Sequence, residues 1–259
     1  MGVGGGREQD IVLKGLWKLV WVELKIFLRE PMGSVSTLII PAIVFLVVGR
    51  ALRGARSEEF DPSEWVGTSL PIMFTVLIAL NAVVSLTTIM SIYREGGILK
   101  RLKATPLSPV TILTAHVVVK LVLTAFSVGL LVLVGKTFFA VGIPGSALSF
   151  TFAVTISTVS ILSFGFVIAS IVPTARFAQL IAGTVLYPQL AVCGLFMSTE
   201  NFSPTLKFLS TISPLTHAVS LTRGMWEGAA WSGFGGELLV LAVTFVVCVS
   251  LSSRVFRWE

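Results

Sequence analysis

Charge is scarce in this sequence. Only 12% of its 259 residues are Asp, Glu, Lys or Arg, whereas a soluble domain carries roughly 25%. A water-facing surface cannot be assembled from that supply, and 54% of the chain is hydrophobic. Histidine and cysteine are scarcer still, at two each. His116 and His217 belong to no paired-histidine zinc motif and no Gly-x-Ser-x-Gly occurs, which leaves zinc and serine hydrolysis without their constellations. Cys193 and Cys248 both lie inside apolar runs with no metal-binding spacing; there a free thiol acts as a small hydrophobe.

Acids are missing where a self-powered carrier needs them. Within the long apolar runs only Glu237 is acidic, and it stands at an extreme end. Proton- and cation-coupled transporters place ionisable groups inside the membrane, so this lack argues against an antiporter. Nucleotide chemistry is equally thin. Gly129 and Gly135-Lys136-Thr137 imitate a phosphate-binding loop, but five residues separate the glycines instead of four, and the stretch between them is apolar. The chain is therefore expected not to be an enzyme and to bind no cofactor or metal itself.

What is present in abundance is membrane-spanning sequence. Six apolar segments, at about 34–52, 69–90, 115–139, 147–172, 178–198 and 237–253, each reach or approach the ~20 residues needed to cross ~30 Å of hydrocarbon. They predict an all-α integral membrane protein: a cytoplasmic segment over 1–33, then one six-helix transmembrane domain over 34–259. Asp61-Pro62-Ser63-Glu64 and Ser108-Pro109 place a cap and an N1 proline ahead of the second and third spans.

Two further helical elements are expected. Residues 14–29 set Trp17, Val20, Trp21, Leu24, Phe27 and Leu28 on one face and Lys14, Lys18, Lys25 and Arg29 on another. Trp17 and Trp21 beside Lys18 and Lys25 describe an interfacial helix lying in the headgroup plane. The segment 199–236 is too apolar for a solvated loop, and Ser203-Pro204 and Ser213-Pro214 each pair an N-cap with a proline. Two short consecutive helices follow, forming a re-entrant hairpin between spans five and six or, alternatively, a peripheral lid. Pro204, Pro214, His217 and Arg223 belong to this region.

The net charge of +6 is topological in origin. Twelve of the 19 Lys and Arg residues flank alternate spans on the side of both termini and six lie on the other, so the positive-inside rule puts both termini in the cytoplasm. Without a basic face carrying interleaved aromatics, no nucleic-acid partner is expected. His116 and Lys120, near the start of span three, are expected to snorkel towards headgroups. The polar residues of the spans are neutral, and among them Asn81, Tyr187 and Gln189 are candidates for lining a substrate path.

The segment following span two is the most informative outside the membrane. In Tyr93-Arg94-Glu95-Gly96-Gly97-Ile98-Leu99-Lys100-Arg101-Leu102-Lys103, an apolar ridge of Ile98, Leu99 and Leu102 is set among basic residues, a pattern able to dock in a groove on another protein. Arg94-Glu95, Gly97, Leu99, Arg101-Leu102 and the Thr105-Pro106-Leu107-Ser108-Pro109 that follows resemble the type-2 ABC exporter permeases, the membrane subunits of bacterial drug and polysaccharide exporters. Ile212-Ser213-Pro214-Leu215-Thr216-His217-Ala218 with Arg223-Gly224 supplies a second matching stretch.

The resemblance implies a permease of the bacterial plasma membrane, working with a second copy or homologue and with ATP-binding subunits that carry ATP and Mg. Tyr93, Arg94, Glu95, Gly97, Ile98, Leu99, Arg101 and Leu102 would then form the coupling helix towards the ATPase, with the interfacial helix beside it. The neutral, apolar interior suits export of a hydrophobic drug, lipid or lipid-linked molecule better than a small ion. A stand-alone secondary transporter or channel and a membrane scaffold or assembly factor are the alternatives open at the level of residues.

Overall fold

The computed structural model describes residues 4–29, 35, 39–54, 62–98, 109–142, 144–172, 174–195 and 199–255. Among them the regular structure is helical and no strand occurs. Four helical segments, Ser69–Glu95, Thr114–Phe139, Ala147–Ile171 and Trp231–Val255, are long and apolar enough to cross a membrane. The elements in chain order are α1 (Gly4–Arg29), α2 (Ile40–Gly54), α3 (Pro62–Ala79), a π-helical turn (Leu80–Ser85), α4 (Leu86–Glu95), α5 (Pro109–Phe139), α6 (Ala147–Ile171), α7 (Ala175–Val192), α8 (Pro204–Ile212), α9 (Pro214–Glu227) and α10 (Gly235–Val255).

Two of the six expected spans fall outside the set of four. The first corresponds to α2, of 15 residues, and its expected start at 34 lies outside the described residues. The fifth corresponds to α7, whose 18 residues include Arg176, Gln179, Thr184 and Gln189. Span two is one helical rod carried through the π turn, so α3 and α4 continue each other.

Proline marks helix starts as expected. Helices α3, α5, α8 and α9 all begin on a proline, where the missing N–H would have had no intrahelical partner in any case. Ser203 Oγ accepts from Leu206 N ahead of α8, Ser146 Oγ from Ser149 N ahead of α6, and Thr174 Oγ1 from Phe177 N ahead of α7.

Helix α6 is the most buried of the four long segments and α10 the least. Small residues explain the position of α6: Ala153, Ser157, Ser160, Gly165 and Ala169 are all buried along it, and small side chains let helix backbones approach. A Cβ on Gly165 would stand 2.4 Å from the carbonyl oxygen of Ala82 in the π turn. Hydroxyls tie α6 to α10, Ser160 Oγ donating to Leu241 O at 2.9 Å and Ser170 Oγ meeting Ser252 Oγ at 2.8 Å.

Helices α8 and α9 are the two short consecutive helices read from residues 199–236. The second is packed into the bundle, with Leu215, Ala218, Leu221 and Met225 buried. Trp226 meets Phe74 and Phe150 at ring separations of 5.4 and 5.2 Å, and Thr222 Oγ1 meets Thr75 Oγ1 at 2.8 Å.

Candidate functional site

Span two ends at Glu95, and Gly97 follows with φ of +66°, a left-handed turn that glycine enters without steric cost. Ile98 emerges from this turn exposed. Leu99, Arg101 and Leu102, the rest of the expected coupling ridge, lie outside the described residues, as do residues 105–108.

The three residues before the turn reach in three directions. Tyr93 Oη donates to Glu23 Oε1 on α1 at 2.5 Å. Arg94 donates from Nη1 to Val172 O at 2.5 Å and from Nη2 to Ala169 O at 2.8 Å, both at the C-terminal end of α6. Glu95 Oε1 accepts from Ala175 N, the first residue of α7, at 2.9 Å. Arg94 therefore supplies a cation to carbonyls that the end of a helix leaves unsatisfied, and Glu95 an anion to an unsatisfied amide at the next helix start.

Helix α1 docks on α5 through Val20, which is buried with Ala115, Val119 and Leu123, while Leu16, Leu19, Leu24 and Phe27 pack around them. This splits the apolar face read from the sequence. Trp17 and Trp21 are 68% and 63% exposed and stand on a different side of the helix, together with the exposed Lys18 and Lys25. A tryptophan and lysine face turned away from the bundle is what a headgroup layer accommodates.

His116 and Lys120 do not snorkel. Both are 3% exposed. Lys120 Nζ donates to Ser85 Oγ at 2.6 Å, His116 Nε2 lies 3.9 Å from Glu23 Oε1, and the His116 ring packs edge-on against Tyr93 at 5.6 Å. Partners brought by α1 and the π turn replace the headgroups that the sequence alone offered. Burial pushes the Glu23 carboxyl above the ordinary carboxylate range, against the opposing pull of the Tyr93 hydroxyl and the Lys120 charge. This buried polar cluster was not read from the sequence, although its signals are there: Glu23 is the sole acid in 14–29 and Lys120 the sole cation deep in its apolar run.

The three candidate path residues do not share a surface in one chain. Asn81 is buried in the π turn, Tyr187 is 66% exposed, and Gln189 Nε2 donates back to Val185 O on its own helix at 3.3 Å. In the outer region Pro204 and Pro214 begin α8 and α9. His217 Nε2 lies 2.9 Å from Thr211 O, joining these helices, and Arg223 Nε donates to Glu227 Oε1 at 2.9 Å. Gly129 and Gly135-Lys136-Thr137 are continuous helix within α5. Among the described residues no three His, Cys, Asp or Glu side chains gather where a metal could sit.

Long apolar helices, a docked amphipathic N-terminal helix and a tethered segment after span two define a multi-pass helical membrane protein. A family model for the ABC-2 type transporter matches residues 14–226. The chain belongs to that family. It is 23% identical over 200 residues to the probable multidrug ABC transporter permease YbhR of Escherichia coli strain K12, and equally to its counterpart in E. coli O157:H7. Those alignments cover 73% of this chain and 54% of the relatives, so the chain spans about half the length of the curated relatives it matches.

Proposed function

We propose that this chain is the transmembrane permease subunit of an ATP-driven exporter, moving a hydrophobic drug, lipid or lipid-linked molecule across the bacterial plasma membrane. ATP and Mg bind a separate ATP-binding subunit, and a second permease copy or homologue completes the pathway. In this reading α2 and α7 join the four long helices as spans, both termini are cytoplasmic, and α8 and α9 re-enter the outer leaflet. Residues 1–33 form the N-terminal segment and 34–259 one transmembrane domain.

One observation carries the reading beyond family membership. The segment 93–98 is anchored by side chains to α1, α6 and α7 and yet presents Ile98 outward. A lever must be firm on the inside and free on the outside. Closure of an ATP-binding dimer against Ile98 and the ridge after it would switch the pathway between its two accesses. In this reading Tyr187, exposed on α7, faces a second copy or the transported molecule, and the multidrug description of the E. coli relatives supports an apolar cargo.

Affinity capture from native membranes tests this. The chain is expected to retain an ATP-binding subunit and the pair to hydrolyse ATP, while the chain alone does not. Sustained ATP hydrolysis by the isolated chain, or capture without any such subunit, would contradict it.

A further inference from the structure

We propose that Tyr93, Arg94 and Glu95 are positioning residues that clamp the end of span two to α1, α6 and α7, so that a push on residues 93–98 is delivered to α7. The inference rests on the permease reading above and says how the push is transmitted.

Successive residues at a helix end project about 100° apart, so three in a row sweep most of its circumference. Each finds a different partner: Glu23 on α1, the carbonyls of Ala169 and Val172 closing α6, and the amide of Ala175 opening α7. The connection between α6 and α7 is thereby held from outside at both ends. The signs are matched, with a cation at a helix C-terminus and an anion at a helix N-terminus, so exchanging Arg94 and Glu95 would set each against like partial charge. Thr174 already caps the amide of Phe177, and Glu95 takes a second of the open amides. Glu95 therefore works as an acceptor within the chain and not as a charge offered to the ATP-binding subunit.

That distinction is testable. Glu95→Gln keeps an acceptor oxygen and loses the charge, whereas Glu95→Ala loses both. Coupling is read in the purified complex as the fold by which the permease raises ATP hydrolysis over that of the ATP-binding subunit alone. Allosteric coupling is commonly worth about 5- to 150-fold, so Glu95→Ala is expected to lower it about tenfold while Glu95→Gln stays within about twofold. Equal recovery of all three complexes shows that assembly is intact. Glu95→Gln as defective as Glu95→Ala would overturn the inference, because a side chain still able to hold the Ala175 amide would then fail to preserve coupling.

A second measurement needs no change at the clamp. Spin labels on Ile92→Cys and Phe177→Cys, both exposed sites, should keep their separation when ATP binds, since α4 and the start of α7 move together. A change of several ångströms would overturn it. Failure of the permease reading is separately visible: the unsubstituted chain then recruits no ATP-binding subunit, and both statements fall.

Discussion

Gly165 has no side chain at the point where α6 crosses the π turn, and a Cβ there would stand 2.4 Å from the Ala82 carbonyl oxygen. That oxygen is backbone and cannot swing aside. Gly165→Ala is expected to destabilise by about 1–3 kcal/mol, the usual cost of overpacking, read as a lowered thermal midpoint in detergent. Glu23 allows a prediction in pH. Burial raises its carboxyl, so the folded chain holds this proton more tightly than the unfolded one. The stability linked to it is fully present below the ordinary carboxylate pKa and is lost as pH rises through the raised value. Glu23→Gln keeps an acceptor for Tyr93 and cannot ionise. Its thermal midpoint should stay level across the window in which the unsubstituted protein falls; a parallel fall would show that another group titrates.

Among the elements, α1 is the one whose docking separates two roles of an amphipathic helix. Val20 faces Ala115, Val119 and Leu123, while Trp17 and Trp21 face away. Val20→Asp would bury an unpaired carboxylate and should release α1, seen as faster tryptic cleavage at Lys14, Lys18 and Lys25 in the detergent-solubilised protein. Trp21→Ala should leave that cleavage rate unchanged and weaken only contact with lipid. Helical periodicity was enough to recognise α1 and its lysine face, and a cap residue followed by proline marked the starts of α3, α5, α8 and α9. Periodicity could not divide the apolar side of α1 between protein and lipid, because both are apolar solvents. Nor could it place His116 and Lys120, whose burial depends on Glu23 and Ser85 arriving from elsewhere in the chain. The same holds for Arg94 and Glu95: the motif stood out in the sequence by its family resemblance, but its partners Ala169, Val172 and Ala175 are backbone groups about 75–80 residues away. Backbone partners carry no residue type that a sequence pattern could reveal.

At the scale of the molecule, the chain is an apolar helical bundle that belongs to the ABC-2 type transporter family. Among the described residues four helices are long and apolar enough to cross a membrane, and if α2 and α7 are further spans, reagents unable to cross the bilayer should label opposite ends of each from opposite sides. The claim on which everything else depends is that energy enters from another chain. The most direct measurement is ATP-dependent movement of ethidium, as a hydrophobic cationic probe, in proteoliposomes made with this chain alone and with the ATP-binding subunit proposed for it. Ethidium is expected to accumulate only with both subunits and ATP present. ATP-independent ethidium flux through vesicles holding this chain alone would contradict it.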